Sequence, residues 1–195
     1  SSSLNHNWIS NSASSGLPSF TIVGLADRAV EESKDRVRSA IRNCGADFPS
    51  KKITVNLAPA DLPKEGPSYD LPIALGILVA SGQIPEGKIS ELENSLVIGE
   101  LSLDGKLRRT HGILPLAMMA KTKGFNQIIL PKENGYEASV VEGINILSIE
   151  SLKDLIKYLL GQIEIQPQVK LELNIDDLGE YEYDFSQIKG QEHAK

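Results

Sequence analysis

Cysteine occurs once in this chain, at Cys44, so no internal disulfide can form and the usage fits a reducing compartment. Histidine is almost as sparse. His6, His111 and His193 lie far apart and share no ligand spacing with Cys44, which argues against a structural metal site. No apolar run approaches the ~18 residues of a membrane span, so no membrane partner is expected. The N-terminus lacks the basic-then-apolar order of a signal peptide, and cytoplasmic localisation is the expectation. Cationic excess is missing too, because the net charge is −6. From Gln162 onward eight acids face three lysines, giving −5, which leaves −1 for residues 1–161. A nearly neutral body is a poor candidate for a dedicated nucleic-acid surface, which needs clustered Lys and Arg to displace counterions.

What is present is the composition of an ordinary globular chain, with 41% hydrophobic and 24% charged residues. At 195 residues it can bury one good core. The first fifteen residues hold seven serines and read as a flexible leader, ending in a short edge strand near Trp8–Ile9. Phe20-Thr21-Ile22-Val23 is a strand. Asp27 then starts a helix that ends at Cys44 with Gly45 in the C′ position. Its buried stripe is Val30, Val37, Ala40, Ile41 and Cys44. Arg36, Arg38 and Arg42 lie on this helix. They read either as a solvated face or as weak candidates for phosphate contact.

Ile53–Ala58 alternates as a strand should, and a loop rich in Pro, Lys and Glu leads to an apolar helix over Leu71–Ser81. Asp70 is placed to cap this helix, Pro72 suits its first turn and Gly82 ends it. Leu96 to Leu103 reads as one strand entering a turn at Asp104-Gly105. A helix over Ile113–Lys123 ends at Gly124. A strand over Gln127–Pro131, a short helix over Tyr136–Val141 and a strand over Ile144–Ile149 follow. Ser151 caps a last helix over Leu152–Leu160. Strands alternating with helices predict an α/β domain. Residues 162–184 are acidic and aperiodic, as expected of a linker that straps itself along the domain.

Two stretches carry a resemblance. Pro63-Lys64-Glu65-Gly66-Pro67-Ser68-Tyr69-Asp70-Leu71-Pro72-Ile73-Ala74 resembles the segment of Lon-type proteases that bears the catalytic serine. Gly99-Glu100-Leu101-Ser102-Leu103-Asp104-Gly105-Lys106-Leu107, continuing to Gly124-Phe125 and Ile129-Leu130-Pro131, is similar to the Lon segment that bears the catalytic lysine. Gly16 to Leu25, Asp35 to Ala40 and Ile53 to Lys64 narrow the match. They resemble the N-terminal, Lon-protease-like domain of the ComM and YifB (Mg-chelatase-like) AAA+ ATPases. Asp184 to Gln191 resembles the opening of that family's ATPase module.

The resemblance implies a Lon-protease-like α/β fold, with a mixed sheet and packed helices. It divides the chain into a leader (1–15), the accessory domain (16–161), the linker (162–184) and the beginning of the AAA+ module (185–195). Within that beginning, Ile188 and Gly190 match the segment that lies beside adenine. No Gly-x-x-x-x-Gly-Lys-Ser/Thr occurs in the sequence, so ATP and Mg2+ are expected only for the full-length protein. The implied partners are the protein's own AAA+ module, neighbouring subunits of a hexamer, and DNA processed during competence.

Proteolysis can be tested on paper. A serine nucleophile needs a base about 2.6–3.2 Å away, and Lon-type enzymes use a lysine. Ser68 matches the serine. Laying the second segment on the Lon pattern through Gly112 puts Leu114 at the lysine position, and leucine accepts no proton. Lys121 is seven residues further on, about 10.5 Å along a helix axis, which is too far. His111 precedes the helix in a turn with no signal aiming it at Ser68. The expectation is a non-proteolytic accessory and assembly domain with a vestigial Ser68. The alternatives are a serine peptidase with an unusual base and an accessory domain of a protein-remodelling ATPase.

Overall fold

The computed structural model describes residues 9–14, 19–23, 27–57, 67–89, 92 and 94–169. Strand β1 (Ile9–Ser14), strand β2 (Ser19–Val23), helix α1 (Asp27–Asn43) and strand β3 (Lys52–Leu57) come first. The strands form a sheet in the order β1-β3-β2, with β1 antiparallel and β2 parallel to β3. The serine-rich segment expected as a flexible leader therefore contains a full strand, paired from Ile9↔Leu57 to Ser14↔Lys52. Polar side chains do not prevent pairing, because the ladder is made by backbone groups and one face of an antiparallel edge is free to stay polar.

The period-2 pattern places Phe20, Ile22, Ile53 and Val55 in the core, while Thr21 and Val23 face out. Val37, Ala40 and Ile41 of α1 are fully buried against the same core, as the helical spacing required. Cys44 is half-buried beside them, and the side chain of Val30 lies outside the described residues. Gly45 has φ +85°, and its N–H donates to Arg42 O while Ala46 N–H donates to Ile41 O. That pair of bonds closes α1 in a Schellman motif, a conformation glycine adopts without strain.

A 3-10 turn (Pro67–Tyr69) runs into α2 (Asp70–Ala80), whose residues 70–79 are all buried. A helix apolar on every side must lie inside the protein, and α2 packs against α1, β1, β3 and β5 (Glu100–Leu101). A short helix, α3 (Glu86–Ile89), not anticipated in the sequence, leads to β4 (Ser95–Val97). The single strand expected over Leu96–Leu103 is two: β4 joins a second sheet, whereas β5 pairs with β6 (Leu107–Arg108). The break falls at Gly99. Its backbone turns to bond the Ser68–Leu71 segment instead of a strand, and a side chain there would strike Leu107 at 2.7 Å.

The rest is β7 (Gln127–Pro131), flanked by α4 (Ile113–Thr122) and by α5 (Gly135–Ser139), then β8 (Asn145–Ile149) and α6 (Leu152–Leu159). The second sheet is parallel, in the order β4-β7-β8. Both its faces are covered, so its strands read as continuous apolar runs. Ile129, Leu147 and Ile149 enter the α2 core, and Ile128, Leu130 and Ile146 enter a second core beneath α4 and α5. Ser151 caps α6 as expected, its Oγ accepting from Asp154 N–H at 3.1 Å. The fold is a mixed α/β arrangement with small sheets. After α6 the chain lies along β8, where Gln168 N–H donates to Ile146 O at 2.8 Å. The part of the expected linker from 170 onward lies outside the described residues.

Candidate functional site

Ser68 sits in the 3-10 turn that feeds α2 and is partly buried. Its carbonyl accepts from Gly99 N–H at 2.8 Å, and Gly99 O accepts from Leu71 N–H at 2.9 Å. Two backbone bonds therefore fasten the two segments that resemble the Lon serine and lysine regions to each other. No side chain among the described residues is hydrogen-bonded to Ser68.

Asp70 does something other than cap its helix. No side-chain bond closes the N-terminus of α2. The carboxylate instead accepts from Ser33 Oγ at 2.7 Å, from Arg36 Nε at 2.6 Å and Nη2 at 3.3 Å, and from Leu101 N–H at 3.2 Å. It joins α1, α2 and β5 two residues after Ser68. Burial pushes the carboxyl above its ordinary range, opposed by the hydrogen bonds from Arg36 and Ser33 and by the Arg36 charge. Arg36, a candidate for phosphate contact, is committed to this clasp. Burial alone would lower its pKa, but the bond and charge of Asp70 outweigh that and raise it.

Leu114 lies in the first turn of α4, with its side chain partly exposed. Its N–H donates to Glu137 Oε1 at 3.4 Å, across to α5. Glu137 also accepts from Asn134 Nδ2 at 3.3 Å, and Asn134 in turn bonds both backbone groups of Thr110 at 2.8 Å. The turn holding exposed His111 is thus flanked by contacts to Asn134, just before α5, and to Glu137 within it. Arg38 stacks over Phe48, 5.2 Å from the ring centroid, and Arg42 is exposed on the last turn of α1. Ile188 and Gly190 lie outside the described residues. Ser33, Leu101, Asn134 and Glu137 escaped sequence reasoning because they bond to partners 23 to 37 residues away, several of them backbone groups with no pattern of their own.

Residues 9–134 match the family model described as subunit ChlI of Mg-chelatase.

The chain belongs to that family.

Among its relatives, the competence protein ComM of Haemophilus influenzae is 43% identical over 184 residues, covering 93% of this chain and 35% of that protein. The YifB protein of Escherichia coli is 42% identical over 182 residues, with 93% of this chain and 35% of YifB covered. Lon protease 2 of Bacillus subtilis is more distant, at 28% over 130 residues, 66% of this chain and 22% of the protease. The chain therefore spans about a third of the length of the ComM and YifB relatives it matches. The Mg-chelatase-like assignment and the Lon similarity read from the motifs both hold. Among the described residues, no group of three or more His, Cys, Asp or Glu is placed to hold a metal ion, and no helix is long and apolar enough to cross a membrane.

Proposed function

We propose that this chain is a non-proteolytic accessory and assembly domain of a ComM-like AAA+ ATPase that processes branched DNA. The observation that carries the reading is the pairing of Ser68 with no base while Leu114 occupies the lysine position. Support comes from the coverage, since a domain spanning a third of its relatives leaves room in them for a motor module. In this reading ATP and Mg2+ belong to the whole protein, since no Gly-x-x-x-x-Gly-Lys-Ser/Thr loop occurs in this sequence. Nucleotide chemistry in the whole, cytoplasmic protein rests on its ATPase module, with Ile188 and Gly190 of this chain beside the adenine. The domain's partners are its own ATPase module and neighbouring subunits of the ring.

The test has two readouts. A serine-reactive fluorophosphonate should leave the intact mass of the chain unchanged; a single adduct at Ser68 would restore the peptidase reading. ATP hydrolysis by the whole protein should rise on adding branched DNA. Turnover indifferent to DNA would leave the family assignment standing and shift the function towards protein remodelling.

A further inference from the structure

Most of the described cations near carboxylates are neutralised within the fold. Arg36, Arg108 and Arg109 pair with Asp70, Glu100 and Glu137, and Lys132 pairs with Glu150. Arg38, Arg42 and Lys51 are different. None forms an ion pair among the described residues, and all three line one cavity of about 160 Å³ between the last two turns of α1, the start of β2 and the loop over 48–51. Ser19 and Ser50 add hydroxyls, Phe20 and Phe48 add apolar walls, and no carboxylate of the described residues lines the space.

Three like charges turned to one concavity repel each other, and in a chain of net charge −6 acids are not in short supply. The arrangement is also held in place. Phe20 is in the core, its ring centroid is 5.6 Å from that of Phe48, and Phe48 carries the Arg38 guanidinium on its face. A guanidinium stacked on a ring keeps its fork of donors directed outward and matches phosphate geometry. Size then limits the ligand. Pockets for drug-sized molecules run to about 300–1,000 Å³, so this one admits a phosphate group and leaves a sugar and base outside. Arg38 and Arg42 are one helical turn apart, about 6 Å along the axis, which offers cations to successive phosphates. Partly exposed Phe48 beside them supplies the apolar contact that single-strand grooves combine with positive charge.

We propose that this cavity seats a backbone phosphate of single-stranded nucleic acid, so that the domain grips a strand without reading its sequence. The proposal rests on the DNA reading above and names the surface of this chain that would make the contact.

The experiment is fluorescence anisotropy of a labelled oligo(dT) titrated with the full chain between about 50 and 200 mM salt. Binding should weaken steeply with salt. Arg38→Ala with Arg42→Ala should cut affinity about tenfold or more at the low-salt end and flatten the log–log slope by about 1.4, at ~0.7 per lost contact. Lys153→Ala with Lys157→Ala on α6 should change neither. Circular dichroism melts check that each variant is folded. Equal binding by the arginine variant, or a salt-independent wild type, overturns the proposal. So does binding of inorganic phosphate at millimolar concentration, read by calorimetry, in a chain that binds no oligonucleotide, which would mark a site for a free phosphate. DNA-stimulated ATP hydrolysis in the whole protein, read separately, distinguishes this failure from that of the DNA-motor reading: stimulation without pocket-dependent binding sinks only the pocket.

Discussion

Asp70 shows how a carboxylate in a catalytic-looking segment can serve the fold rather than a reaction. A carboxylate beside the serine turn looks like a cap or an acid, yet here it is 1% exposed at its side chain and tied to Arg36, which is 18% exposed. Its pKa is raised by burial against the pull of Arg36. A raised folded-state pKa gives a contribution to stability that is full below the ordinary aspartate value of about 3.9 and is lost as pH rises through the raised one. Replacing Arg36 with methionine removes the chief opposing force, so the Asp70 pKa moves further up. The substitution should therefore cost more at pH 7.5 than at pH 4.5, reaching about 3 kcal/mol at the higher pH as expected for breaking a buried pair. Urea unfolding at the two pH values measures this. A penalty that is equal at both, or larger in acid, would mean that the clasp does not depend on an ionised Asp70.

Glycines mark where elements stop, and two of them do so for different reasons. Gly45 has a positive φ and open space around it, so Gly45→Ala meets strain only and should cost about 1 kcal/mol. Gly99 is hemmed in: a methyl group there would lie 2.7 Å from Leu107 Cδ2 and 3.4 Å from Leu71 Cδ2. Gly99→Ala should cost about 1–3 kcal/mol and loosen the fastening of Ser68. Thermal melts rank the pair, and Gly45→Ala emerging as the more damaging would contradict the close approach. The same contrast explains what was legible. Helix ends such as Gly45 and Gly82, and buried stripes such as Val37, Ala40 and Ile41, are written locally and could be read. The split of Leu96–Leu103 could not, because it depends on a turn some thirty residues earlier in the chain bonding to Gly99. The candidate site divides likewise. Ser68 and Leu114 follow from motif order, but the cavity that collects Ser19, Arg42 and Lys51 draws on three separate segments.

The second sheet makes one body of two cores. On β7, Ile129 points to the α2 side while Ile128 and Leu130 point to the α4–α5 side, and β8 divides Leu147 from Ile146 in the same way. A strand cannot be lost from one core and kept in the other, so the two should melt together even though helix α4 carries none of the α2 core. Ile77→Ala on α2 and Ile113→Ala on α4 each empty a site that is 1% exposed, and each should cost about 2–5 kcal/mol. With no contact required between them, their effects on one shared transition should add to within about 0.5 kcal/mol. Calorimetry of the two single variants and the double variant is the measurement. A single shifted peak in all three, with matching calorimetric and van't Hoff enthalpies, supports one cooperative unit. A separate low-temperature peak confined to Ile113→Ala would show instead that the α4–α5 layer unfolds by itself. In that case Leu114 and its neighbours would stand on a lid over the sheet, and the assembly role would have to be argued from a movable surface rather than a fixed one.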